Sequence, residues 1–293
     1  MDIAYNTVIK RLVASEELWE LEVVEKDIYS CPDCYVPLAP ASYLRTNKKR
    51  PYFRYLKPHK IDCAYSENSS LIKTAQSKSI SNKDGFPFPY PSKLIFENKN
   101  NQEAINNDTD VPRANRSKKK SNEYGSGKTN HHRTVSTIKN IVRHYVCFPN
   151  DRHVGLTVPY VSSEQTTYNS IFKNIWGGVL YSTNHIFFSK IYWTSPEITE
   201  EHISIRLTAG EWEDGKQTKP CKLRININSL SSRQRALVLR ELKTTKLEAM
   251  KNKASVNGYI FFLGKQDKND RFLFHTDSHK LISCLTVLKS AKI

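Results

Sequence analysis

The chain has 293 residues and carries 45 lysines and arginines against 29 aspartates and glutamates, a formal charge of +16. Hydrophobic residues make up 38% and aromatic residues 11%, enough to build real cores, so wholesale disorder is excluded. The length favours two modules or one domain with insertions, because single cores stop growing near about 250 residues.

No apolar run is long enough to cross a bilayer and segment 1–30 is acidic, so neither a transmembrane helix nor a secretory leader is expected. Six cysteines in a chain without a leader point to a reducing cytoplasm, where paired cysteines more often hold metal than form disulfides. The charge is blocked rather than spread. Segments 1–30, 67–112 and 146–230 are net −4, −1 and 0, whereas 31–66, 113–145 and 231–293 are net +5, +8 and +8. Such blocks fit a nucleic-acid footprint better than general solubility.

The first chemistry along the chain is Cys31-Pro32-Asp33-Cys34, followed by His59 and Cys63. The C-x2-C pair puts two thiolates on a tight knuckle, each able to reach one ion at about 2.3 Å. The H-x3-C pair is expected to lie one helical turn apart and face the same point. Four such ligands with no spare position describe a closed tetrahedral Zn²⁺ site of the structural kind.

Between the pairs, Arg45, Lys48, Lys49, Arg50 and Lys57 interleave with Tyr52, Phe53 and Tyr55. Cations suit phosphate and rings offer stacking platforms. Phe53 is expected in the small core and the five cations at a nucleic acid, with DNA favoured over RNA. Residues 12–66, from Leu12-Val-Ala through Tyr29-Ser-Cys-Pro-Asp-Cys and Arg50-Pro-Tyr-Phe-Arg-Tyr to Cys63, resemble the N-terminal zinc-finger region of competence protein CoiA-like proteins. Those proteins are bacterial, and many couple the finger to a PD-(D/E)XK nuclease domain. The resemblance implies a zinc-containing protein of bacterial or mobile-element DNA handling or defence. Where such proteins carry histidines around the phenylalanine, this chain has Tyr52 and Tyr55.

A nuclease of that kind needs an Asp and a strand bearing Glu-x-Lys to hold Mg²⁺ and position water. Asp84, Glu97 and Lys99, after Leu94-Ile-Phe96, form the one arrangement with a strand in front. No nucleophile, base and orienter set is legible elsewhere, so binding is expected ahead of catalysis, with protein partners a further option.

Segment 97–132 contains only five hydrophobic residues, too few to offset its ordering entropy. It reads as a basic linker in which Lys118, Lys119 and Lys120 are candidate phosphate contacts. The expected division is 1–96 as zinc-binding module, 97–137 as linker and 138–293 as a mainly-β domain. Together these make an α+β fold.

Within 138–293, residues 171–181 and 185–193 read as β-rich runs. His202–Leu207 and Cys221–Ile227 alternate, with Leu223, Ile225 and Ile227 on one face and Lys222 and Arg224 on the other. Glu211–Lys216 between them is a turn signal. A helix is expected from Ser231 to about Lys253, burying Leu237, Val238, Leu242 and Met250, and strands follow at 258–264 and 271–275. Several strands with one helix are compatible with a small OB-like barrel, in which Arg206, Lys222 and Arg224 would contact a nucleic-acid strand.

Overall fold

A computed structural model describes residues 1–44, 46–47, 49–60, 63–65, 70–83, 85–96, 131–161, 166–177, 179–291 and 293. The fold is α+β, with a Cys/His cluster near the N-terminus and a mostly-β C-terminal region.

Strands β1 (Ile3–Asn6), β2 (Arg11–Ala14) and β3 (Tyr29–Ser30) form an antiparallel sheet in the order β2-β1-β3. A six-residue 3₁₀ segment, Ser15–Glu20, follows β2. β4 (Leu38–Ala41) and β5 (Tyr52–Tyr55) pair beside them, and Phe53 is fully buried against Ala4, Leu18, Tyr29 and Leu38, as expected. Helix α1 (Ser70–Ser77) precedes β6 (Tyr90–Leu94), which pairs in parallel with β7 (His132–Val135). β7 lies inside the stretch expected as linker.

Helix α2 (Ile138–Cys147) and the short α3 (Tyr168–Ile171) come next. The sheet that dominates the molecule then begins with β8 (Phe172–Asn174) and β9 (His185–Lys190). The first β-rich run therefore contributes three strand residues rather than the whole of 171–181. A short β10 (Glu197–Ile198) leads into the hairpin β11 (His202–Glu213) and β12 (Lys216–Asn226). Its turn holds Asp214 and Gly215 at φ of 48° and 73°, the pair of left-handed residues that a two-residue hairpin turn requires.

Helix α4 (Ser232–Lys251) starts at a reciprocal cap between Ser231 and Gln234. Three strands follow it: β13 (Val256–Gln266), β14 (Leu273–Thr276) and β15 (Ile282–Leu288). Val238 and Leu242 face the core as expected, but Met250 is 62% exposed. The buried face of α4 runs instead through Glu241, Thr245 and Ala249, so two polar residues occupy positions that an apolar pattern would not choose.

The sheet runs β10-β11-β12-β14-β13-β9-β8, with β15 on β13. The pairs β12·β14 and β8·β9 are parallel and the rest antiparallel. It curls enough for Ile191, just past β9, to bridge Leu207 of β11. No closed barrel is found among the described residues, and from residue 138 on these carry three α-helices and a short 3₁₀ turn (His279–Leu281) where one helix was expected.

β13 is buried on both faces. Ile260 and Phe262 join Leu223, Ile225 and Phe274 under α4, while Phe261 and Leu263 face the opposite way. That opposite core also takes Leu12, Phe86, Phe88 and Leu94, together with Ile138, Ile141 and Val142 of α2. Residues before and after 97–130 thus share one core.

Candidate metal centre

Two short chain reversals meet to build the site. After β3, Cys31 N–H donates to Val36 O (2.9 Å) and Cys31 O accepts from Tyr35 N–H (3.1 Å), folding Cys31-Pro-Asp-Cys34 back on itself. Tyr35 is left in the left-handed region at φ 59°, a cost the knuckle imposes. Among the described residues here, His59, Lys60 and Cys63 belong to neither helix nor strand, and the expected helical turn is not seen in them. A turn closed by Cys63 N–H to Lys60 O (3.0 Å) aims the pair instead. Asp33 stitches the reversals together by accepting from Ala64 N–H at 2.8 Å.

The outcome is four donor atoms within 4.8 Å of one another. Cys34 Sγ and Cys63 Sγ lie 3.2 and 3.3 Å from His59 Nδ1, and Cys31 Sγ lies 3.5 Å from Cys63 Sγ. A tetrahedral ion with bonds of about 2.3 Å places its ligand atoms roughly 3.8 Å apart, which is the scale seen here.

Burial pushes the Cys31 and Cys63 thiols up. At Cys34 desolvation is outweighed by hydrogen bonds from backbone N–H groups and His59, bringing it down to about 6. Three sulfurs this close do not all ionise in a buried pocket without a cation among them. The donor set fits a thiophilic divalent ion, and the cluster is consistent with a zinc-binding site whose four protein ligands leave no open position.

The cations expected at nucleic acid separate into distinct environments. Lys49 and Lys57 are exposed. Arg45, Lys48, Lys118, Lys119 and Lys120 lie outside the described residues, as do Asp84, Glu97 and Lys99 of the expected nuclease triad.

Arg50, expected at nucleic acid, turns its guanidinium inward, with its side chain 17% exposed. Nε donates to Glu248 (2.8 Å), Nη1 to Glu16 (3.3 Å), and Nη2 to Thr245 Oγ1 (2.6 Å) and Cys284 O (3.2 Å). Glu16 also accepts from Arg143, and Lys139 pairs with Glu241. Burial alone would raise the Glu16 carboxyl, but Arg143, Arg50 and Lys139 overturn that and hold it at about 2. This buried set ties the 3₁₀ segment and Arg50 to helices α2 and α4. No local signal reveals it, because Arg50 and Glu248 are 198 residues apart in sequence.

Arg206, Lys222 and Arg224 do come together. Arg206 of β11 is opposite Lys222 of β12, and Arg224 follows on the same outer face. Arg206 lies 4.3 Å over the Tyr192 ring and donates to Gln217, while Lys222 is 3.8 Å from Glu197. The Arg224 side chain makes neither a hydrogen bond nor an ion pair among the described residues, and its Nε is buried.

The register extends this row to residues that sequence reading missed. Arg224 pairs with His275 of β14, and His275 with Lys265 of β13. Alternation around Phe274 was the available signal, since a buried Phe274 requires His275 to face outward.

No protein-family model, no curated protein and no solved structure matches the chain. No helix among the described residues is long and apolar enough to cross a membrane.

Proposed function

We propose that the chain is a zinc-containing nucleic-acid-binding protein. The observation that carries the reading is the outer face of β11–β12, where Arg206, Lys222 and Arg224 stand together over a fully apolar inner face. A sheet face of this kind offers cations at regular spacing on a rigid platform, which suits phosphates better than it suits an apolar partner. Exposed Lys49 and Lys57 add charge in the N-terminal region that carries the metal centre. Zinc has the structural role of fixing that region.

The resemblance of residues 12–66 to CoiA-like fingers favours DNA over RNA and a bacterial or mobile-element DNA-handling or defence pathway. Six free cysteines fit a reducing cytoplasm. The curl that brings Ile191 onto Leu207 is the geometry an OB-like platform uses, and this reading does not require closure.

The test is a salt titration of affinity for labelled DNA and RNA. Phosphate contacts predict that log K falls linearly with log salt, with a slope of about −0.7 to −0.9 per contacted phosphate. Absence of binding to either polymer at low salt would sink the proposal.

A further inference from the structure

Resting on that reading, we infer that an unpaired nucleic-acid strand runs along the outer groove centred on Arg224, with Arg224 and Lys265 taking its phosphates. Two clefts adjoin there. One, of about 490 Å³, lies across the ends of β11, β12, β13 and β14 and is lined by Arg224, Lys265, His275, His202 and Asn226. The other, of about 390 Å³, is lined by Lys222, Arg224 and Phe272. Each volume falls in the range that holds a small ligand such as one nucleotide. Arg224 is common to both, so a strand passing from one to the other would present a phosphate to it.

The charge pattern singles out these two cations. Along the same face Lys219 and Arg271 pair with Glu211, and Lys222 faces Glu197. Arg224 and Lys265 have no acidic partner among the described residues, although both stand on paired strands that fix their positions. An arginine whose Nε is buried without an acceptor leaves unmade the interaction such a group most needs. The Nε itself is closed off, so a phosphate in the clefts would meet the part of the guanidinium that lines them, and guanidinium geometry suits phosphate capture.

Three carboxylates also line the larger cleft, Glu201, Asp267 and Asp277. Asp267 is held by His275 and by the N–H groups of Asn269 and Asp270, which fix its charge in place without cancelling it. Glu201 and Asp277 sit with His202, Asn226 and Asn228, a set of acceptors and amides that suits the donor edge of an unstacked base. In the smaller cleft the Phe272 ring, with Arg271 at 5.1 Å, offers a surface for stacking. A duplex buries its base faces by stacking and its Watson–Crick edges by pairing, so it could not place a base on Phe272 while using the acceptors of the larger cleft. A single strand can.

Fluorescence anisotropy with a labelled oligonucleotide of roughly 12 nucleotides, single-stranded and as its duplex, tests the assignment. Five proteins are compared: wild type, Arg224→Ala, Lys265→Ala, the double variant, and Lys26→Ala as a surface-charge control at an exposed lysine outside the groove. Neither side chain has a hydrogen-bond or ion-pair partner among the described residues, so melting temperature and zinc content should stay near wild-type values. Each single variant is expected to weaken single-strand binding about tenfold and to lower the salt slope by about one, with Lys26→Ala changing less.

If wild type binds and the double variant binds the single strand equally well, the groove assignment fails while the nucleic-acid reading survives. If wild type prefers the duplex and both variants lose duplex affinity, the assignment of an unpaired strand is overturned. If wild type binds nothing, both fall together.

Discussion

The metal region and the curled sheet are held together by opposite means. Around Cys31, Cys34, His59 and Cys63 the chain has short strands of two to four residues and a small apolar cluster built on Leu18, Tyr29, Leu38 and Phe53. So few buried residues rarely specify one structure alone, and a metal bond supplies the missing constraint. The sheet has the reverse endowment, with strands of eleven or twelve residues and two apolar cores, one on each face of β13. The difference teaches where each region will fail. One is limited by ligand chemistry and the other by packing volume.

The widest separation between them should come from removing zinc. Purified protein is expected to hold about one Zn²⁺ per chain, and structural zinc contributes on the order of 10–16 kcal/mol to the fold it organises. Cys31→Ser combined with Cys34→Ser should abolish zinc by mass spectrometry and collapse amide protection in residues 1–65. Protection in β11, β12 and β13 should persist. Equal loss of protection in both regions would show that the sheet depends on the metal as well, and the contrast would be gone.

The complementary break is Phe274→Ala. Phe274 is fully buried on the inner face of β14, against Phe187 and Phe262 with ring centroids 5.0 and 5.9 Å away. Truncation should cost about 3–5 kcal/mol, mostly as cavity, and lower the urea midpoint accordingly. Zinc stoichiometry in the folded fraction should not change. A loss of zinc in that fraction would mean the two regions are not independent in the way argued.

Between the two regions lies the buried ion set, which decides how firmly they are joined. Arg50→Met leaves Glu16 and Glu248 without one of their partners. Breaking a buried pair costs about 3–5 kcal/mol, and Arg50 belongs at the lower end because its side chain keeps 17% of its exposure and Glu16 retains Arg143. Adding Glu16→Gln in the Arg50→Met background should cost less than adding it to wild type. Simple additivity in denaturant titrations would show that the pair carries no coupling.

Legibility in the sequence follows the range of the interactions. The four zinc ligands were readable because each pair is local and thiolate chemistry has a fixed spacing. Strands β11 and β12 were readable because Leu223, Ile225 and Ile227 alternate with Lys222 and Arg224 around a turn that needs Gly215. Helix α2 was readable only in part. Its Ile138, Ile141, Val142 and Tyr145 do recur at helical spacing, a stripe that was there to read, while nothing local shows that Lys139, Asn140 and His144 are buried as well. Arg50 read as a phosphate contact for a similar reason, since its partners Thr245, Glu248 and Cys284 come from the far end of the chain. Polar burial depends on long-range pairing, and periodicity carries no trace of it.

His144 gives the smallest of these effects and shows that the shared core has a pH dependence of its own. Its ring lies 4.7–4.8 Å from those of Phe86, Phe148 and Tyr168 and stacks on Tyr90, with Nε2 unpartnered. Burial among these rings drives it down from the ordinary 6.5 to about 3, against a weak upward pull from Asp151. The unfolded chain therefore takes up a proton below 6.5 that the folded chain refuses. Stability from this group is present above 6.5 and is lost as pH falls toward 3, at no more than about 1.4 kcal/mol per pH unit.

Glu16 acts in the same sense lower down, between 4.5 and about 2, whereas Glu17, raised mainly by burial, acts in the opposite sense. A wild-type profile alone mixes the three. The difference between wild type and His144→Phe isolates the histidine, because the substitution leaves both glutamates in place. Urea midpoints at about pH 7.5 and 5.5, with zinc in excess to keep the metal region intact, should show that difference shifting in favour of His144→Phe by roughly 1 kcal/mol on acidification. An unchanged difference would place a proton acceptor for His144 in the folded core that the arrangement of rings does not provide.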